Sequence, residues 1–130
     1  EITELRVADF ADLAGNGIIV SEDTLQNDPE LVRSFVRAFL HGLTETAADP
    51  AAAYTISQDF VETLTADDPV QQEVLATSIS LWAVQNPGWS EPIAWENTLL
   101  LLLDMGLLGE FQDIYTAFTN DYLPTTLKIE

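Results

Sequence analysis

Few side chains in this sequence of 130 residues are equipped for chemistry, and they are poorly placed for it. There is no cysteine, which removes disulfides, thiolate metal sites, iron–sulfur ligation and thiol nucleophiles together. His41 is the single histidine. It has no base or acid at a recognisable spacing, so it reads as a solvent-facing residue near the end of a helix. Glu22-Asp23 and Asp67-Asp68 are paired carboxylates. General acid–base work needs two carboxylates in different environments on opposite sides of a substrate, and sequence neighbours do not supply that. No segment sets carboxylates alternately around a glycine turn, as a calcium loop does. The sequence therefore gives no catalytic residue, no metal ligand and no cofactor. Trp82, Trp89 and Trp95, with Tyr54, Tyr115 and Tyr122, could line a stacking pocket; at helical spacing Trp82 and Trp95 read rather as core.

The charge balance narrows the partners. Four Lys and Arg stand against 22 Asp and Glu, a formal net charge of −18. Nucleic-acid binding needs a basic footprint to displace counterions, and none exists. Docking on an anionic membrane surface is disfavoured for the same reason. The longest apolar run, Leu99 to Leu103, is far short of the ~20 residues of a membrane-spanning helix. The sequence opens at Glu1 without the apolar stretch of a signal peptide, and is read as a processed chain or a piece of something longer.

The elements that would position these residues come next. At 47% hydrophobic and 20% charged, the chain has material for a single domain over 1–130. Leu5 and Val7 alternate with Glu4 and Arg6, which predicts a short strand. Ala14-Gly15-Asn16-Gly17 is a turn-forming cluster in which positive φ is easily reached. Ile18-Ile19-Val20 is a β-branched run that predicts a second, more buried strand. Residues 1–26 thus form a strand region and residues 27–124 a helical one. Asp28-Pro29, Asp49-Pro50 and Asp68-Pro69 each open an apolar-periodic segment, the aspartate as N-cap and the proline at N1. The first segment has one broad apolar face of Leu31, Val32, Phe35, Val36, Phe39, Leu40 and Leu43. The second carries Ala53, Ile56, Phe60, Val61 and Leu64, and the third Val74, Leu75, Ile79 and Trp82. Asn86-Pro87-Gly88 ends the third. Ser90 with Pro92 starts a fourth, central and buried, which ends at Gly106 with Leu107 as its hydrophobic partner. A short last helix covers Asp113 to Phe118. The fold class is mainly α, with four to five helices and two N-terminal strands.

The order of words along the chain carries a resemblance. Leu5-Arg6-Val7-Ala8-Asp9-Phe10 precedes Gly15-Asn16-Gly17-Ile18-Ile19-Val20-Ser21-Glu22. Then follow Asn27-Asp28-Pro29-Glu30-Leu31-Val32-Arg33, Asp49-Pro50-Ala51-Ala52-Ala53, Trp95-Glu96 and a closing Thr119-Asn120-Asp121-Tyr122-Leu123-Pro124. In this order the chain resembles the C-terminal portion of ABC-importer substrate-binding proteins, in the group that takes thiamine-pyrimidine precursors, riboflavin and similar small heteroaromatics. The resemblance implies a fragment of a periplasmic-binding-protein type 2 fold, in which two α/β lobes close over a ligand. It further implies an ABC permease as partner, an extracytoplasmic location, and a hinge crossover within residues 1–26 that borders the cleft. Asp9, Phe10 and Asn16 are the expected ligand contacts. A carboxylate and an amide can bond ring N–H and carbonyl groups, and an aromatic can stack. Asn16 reads equally as a turn residue in the left-handed region and Phe10 as a core residue. Where thiamine-pyrimidine relatives carry a Gly-Val-Pro-like stretch, this chain has Ala11-Asp12-Leu13-Ala14, so the ligand is left open. The absence of the cysteine-rich motif of a fungal pyrimidine-synthesising relative favours a binder over an enzyme. The alternative is a helical interaction domain with a closed core and no small-molecule ligand. A fragment would leave strand edges and apolar faces bare, and in isolation would dimerise or swap segments.

Overall fold

The computed structural model describes residues 3, 5–82 and 86–125. Five α-helices follow in order: α1 (Glu22–Asn27), α2 (Pro29–Ala48), α3 (Pro50–Ser57), α4 (Pro69–Trp82) and α5 (Pro92–Asp104). Single 3₁₀ turns lie at Val7–Asp9 and Ile114–Thr116.

The three Asp-Pro starts form as expected, because the capping chemistry is local. Asp28 Oδ1 accepts from Leu31 N–H at 3.2 Å and Asp49 Oδ1 from Ala52 N–H at 3.0 Å. Asp68 Oδ1 accepts from Val70 and Gln71 N–H at 3.0 and 3.1 Å. Each carboxylate satisfies an orphan donor and sits at the positive end of its helix. Gly106 also does what its position predicts. With φ +70 it lets Leu107 N–H reach Leu102 C=O at 2.9 Å and Gly106 N–H reach Leu103 C=O at 3.0 Å, the two bonds of a Schellman stop.

Other expectations are corrected. No strand occurs among the described residues. Val7 falls in a 3₁₀ turn, and Ile18-Ile19-Val20 is neither strand nor helix, with Ile19 99% exposed. A β-branched run becomes a strand only when another backbone offers a ladder, and no described segment does so here. Glu4 lies outside the described residues. Among the described residues positive φ occurs at Gly88 and Gly106 alone, so Asn16 is not in the left-handed region. A helix that the pattern missed, α1, starts on Ser21, whose Oγ accepts from Thr24 N–H at 3.2 Å. α2 runs through Gly42 to Ala48, so His41 sits inside the helix and not near its end; a glycine costs only about 1 kcal/mol in a long helix. Ser90 does not cap α5; the N-cap is Glu91, without a side-chain bond. The last helix shrinks to the turn at Ile114–Thr116. α5 is not the buried centre either: only Ala94 and Leu99 are buried on it.

The centre is α2, which touches α1, α3 and α4. Val32, Val36 and Leu40, spaced by four, form its buried stripe, against Val20, Leu25, Leu43, Tyr122 and Leu123. Tyr54, on α3, is buried as well, and its hydroxyl donates to Thr65 C=O at 2.8 Å. Burial first, then the carboxylates of Asp68 and Asp67, hold its phenol above the usual 10.0. The unfolded phenol therefore ionises first as pH rises. Below about pH 10 this contributes no pH dependence; from there up through the raised folded value the unfolded state holds fewer protons, and stability falls. As pH rises past about 10, the urea midpoint is expected to drop more steeply for the wild type than for Tyr54→Phe. Equal slopes would remove this account of Tyr54.

The core is small for the chain. Accessible surface totals 10497 Å², whereas a compact protein of 14.3 kDa exposes about 6,800 Å². Large apolar side chains stay outside on every helix of three turns or more, among them Leu31, Phe35, Phe39, Val70, Leu81, Ile93 and Leu100.

Candidate functional site

The first candidate region is the N-terminal arch. The 3₁₀ turn closes with Asp9 N–H to Arg6 C=O and Phe10 N–H to Val7 C=O, both at 3.0 Å. The chain then lies along α5, held by two neighbouring side chains. Asn97 Nδ2 donates to Asp12 C=O at 3.0 Å, and Ala14 N–H donates to Thr98 Oγ1 at 2.8 Å. Thr98 Oγ1 in turn donates to Ala94 C=O at 2.8 Å, which fixes its lone pairs toward the arch. A shallow hollow here is lined by Val7, Ala8, Ala11, Asp12 and Leu13.

Asp9 and Phe10 stand side by side in the turn and both face solvent, Phe10 at 79% exposure. Phe10 is therefore not a core residue. Neither lines the hollow. Asn16 is exposed and makes no hydrogen bond among the described residues; nothing ties it to Asp9 or Phe10.

A second hollow was not foreseen. Arg33 and Arg37, one turn apart on α2, line it with Tyr122, Leu123, Pro124 and Thr125. The Arg33 guanidinium lies 4.9 Å from the centre of the Tyr122 ring, donates to Asp121 C=O at 2.6 Å and pairs with Glu30 at 3.5 Å. The signal available in the sequence was two of its few cations at i and i+4.

The six aromatics do not line one pocket. Trp95 stacks on Phe118 with centroids 5.0 Å apart and planes at 8°, and Tyr115 packs on the same ring at 6.2 Å, while Tyr122 backs Arg33 and Tyr54 is buried on α3. Trp82 and Trp89 are exposed. The carboxylate pairs have structural work: Asp68 caps α4, and Asp23 accepts from Asn27 Nδ2 at 2.8 Å. Contrary to the sequence reading, His41 has an acidic partner four residues on: its Nδ1 lies 3.3 Å from Glu45 Oε2 on an exposed helix face. Among the described residues no three His, Cys, Asp or Glu group as metal ligands, and no helix is long and apolar enough to cross a membrane.

Residues 1–53, which contain the arch, match the protein family described as NMT1/THI5 like. Over 95% of its length the chain is 38% identical to the riboflavin-binding protein RibY of Chloroflexus aurantiacus, and it spans 37% of that relative's length. The resemblance to this group of substrate-binding proteins is thereby borne out. By its name that relative binds riboflavin. No solved structure matches the chain.

Proposed function

We propose that the chain is the C-terminal part of an extracytoplasmic substrate-binding protein that takes a small heteroaromatic nutrient, riboflavin or a thiamine pyrimidine precursor, and delivers it to an ABC permease. The observation that carries this reading is the 38% identity to a riboflavin-binding protein along nearly the whole chain. In this reading two lobes of a periplasmic-binding-protein type 2 fold close over the ligand. Residues 1–26 contain the crossover between lobes, and residues 27–124 belong to one of them. Asp9, Phe10 and Asn16 contact the ligand. Phe10 stacks on the ring, and Asp9 and Asn16 bond its N–H and C=O groups. Their exposure in this chain fits side chains that await a second wall. The alternative, a self-contained helical interaction domain, expects a closed core, and the bare faces of α2 and α5 count against it.

The test is titration of riboflavin fluorescence with the whole protein. Quenching at micromolar protein is expected. Phe10→Ala and Asp9→Asn should each weaken binding by about 10-fold, the worth of one stacking or charge-assisted contact. The 130-residue chain alone should bind weakly or not at all. Absence of quenching, together with no thermal shift from thiamine pyrimidines or sulfonates, would sink the proposal.

A further inference from the structure

The five asparagines of this chain stand in different chemical settings. An asparagine carries an electrophilic carbon, Cγ, within reach of the next residue's backbone nitrogen, and the two can close a five-membered ring. Closure needs a following residue that has an N–H and no side chain in the way, a side-chain amide without hydrogen bonds, and a backbone able to turn.

Four asparagines fail these conditions. Asn86 precedes Pro87, which has no N–H. Asn27 is the last residue of α1, and its Nδ2 donates to Asp23 Oδ1 at 2.8 Å. Asn97 lies within α5, and its Nδ2 donates to Asp12 C=O at 3.0 Å. Asn120 is held at both ends of its amide by the Ser90 backbone, at 3.0 and 2.9 Å. Asn16 meets all of them. It is followed by Gly17, both are exposed, and neither makes a hydrogen bond among the described residues. The chain is pinned just before, where Ala14 N–H donates to Thr98 Oγ1, and again at the Ser21 cap of α1. Among the described residues, 15–20 between these points make no backbone hydrogen bond. A Cβ built on Gly17 would meet nothing within 4 Å, so open space surrounds the attacking nitrogen.

We propose that Asn16 is a site of spontaneous deamidation, through a succinimide closed by the Gly17 backbone nitrogen. Hydroxide takes the Gly17 amide proton, and the nitrogen bonds to Asn16 Cγ. The Cγ–Nδ2 bond then breaks, and Nδ2 takes a proton from water and leaves as ammonia. Water opens the ring at either carbonyl. One opening leaves an aspartyl residue; the other leaves an isoaspartyl link, which routes the main chain through Cβ. In sum one water is consumed and one ammonia released, with no change of oxidation state. Either product replaces an amide that donates and accepts with a carboxylate that only accepts, and adds a negative charge to a chain already at −18. The proposal rests on the setting of Asn16 and not on the ligand reading.

The experiment is timed incubation of the whole protein at neutral and mildly alkaline pH, followed by peptide mass spectrometry with isoaspartyl detection. Riboflavin quenching is measured on the same samples. Asn16 is expected to convert at least about 10-fold faster than any other asparagine, and faster as pH rises, because the attacking group is the deprotonated amide. Gly17→Ala should slow the conversion about 10-fold. That variant leaves the fold alone, since Gly17 does not have positive φ and its new methyl enters open space. Asn16→Gln, whose amide could close only a six-membered ring, should abolish the fast phase. An unchanged rate in Gly17→Ala, a rate at Asn16 no faster than at Asn97 or Asn120, or a rate independent of pH would each overturn the proposal. Conversion that leaves riboflavin quenching intact upholds the modification and removes Asn16 from the ligand contacts. Quenching by a protein that keeps the Asn16 amide throughout overturns the modification and leaves the ligand reading standing.

Discussion

Replacing Leu40 with alanine is expected to destabilise the chain by about 2–5 kcal/mol, the largest effect of any single truncation in it. Leu40 is the most buried hydrophobic among the described residues, at 3% exposure. It closes the end of the α2 stripe, between Val36 on its own helix and Leu123 from the C-terminal segment. Removing its branched end deletes apolar contacts that help bring residues 86–125 back onto α2, beside the Arg33 contacts with Asp121 and Tyr122. Those contacts have few substitutes, because only Val32, Val36, Leu40, Tyr54, Ala94 and Leu99 are buried hydrophobics among the described residues. A domain of this size has a net stability of only about 5–15 kcal/mol, and a core this small belongs at the lower end. Urea unfolding followed by helical circular dichroism should show a midpoint shifted well to lower urea, with a broadened transition. The matched control is Leu100→Ala, on the exposed face of α5, which should move the midpoint little. Comparable shifts for the two would mean that α2 is not the centre of the fold.

How much of this was legible in the sequence follows the range of each interaction. The Asp28, Asp49 and Asp68 caps and the Gly106 stop need only neighbours within four residues, so their residue types announce them. Leu40 was visible as apolar and periodic, but not as different from Phe39. Which of two adjacent stripes is covered depends on α1, α3 and the C-terminal segment, and periodicity carries no information about those. The strand expectation at Ile18-Ile19-Val20 failed for a related reason. β-branching states a preference, but a ladder needs a second backbone. α1 escaped notice because six residues give no apolar period to count. At the candidate site the words around Asp9, Phe10 and Asn16 carried the family resemblance. The cross-chain bonds from Asn97 and Thr98 that hold the arch were invisible, since they join residues 84 and 85 apart. The Arg33–Tyr122 contact was hidden likewise, by the length of chain between its partners.

The second large effect is expected at Gly88, and it is coupled to the first. Gly88 has φ +83, where a side chain costs about 1–2 kcal/mol. A Cβ there would also lie 2.8 Å from Leu40 Cδ2, 3.2 Å from Leu40 Cδ1 and 3.2 Å from Leu123 Cδ2. The turn approaches the core this closely because Ser90 just beyond it is clamped to Asn120. Ser90 N–H donates to Asn120 Oδ1 at 3.0 Å, and Asn120 Nδ2 donates back to Ser90 C=O at 2.9 Å. The backbone cannot retreat without breaking that pair. Gly88→Ala is therefore expected to cost about 2–3 kcal/mol in the wild type, from the left-handed backbone and the displaced leucines together. In a Leu40→Ala background the nearest obstacle is gone, and the added methyl enters part of the space it left. The same substitution should then cost only the backbone share, so the pair departs from additivity by about 1 kcal/mol. Urea unfolding of the two single variants, the double variant and the wild type measures that coupling. A strictly additive cycle would show that the Gly88 turn does not rest on Leu40, and that the α2 stripe ends one turn earlier than the packing indicates.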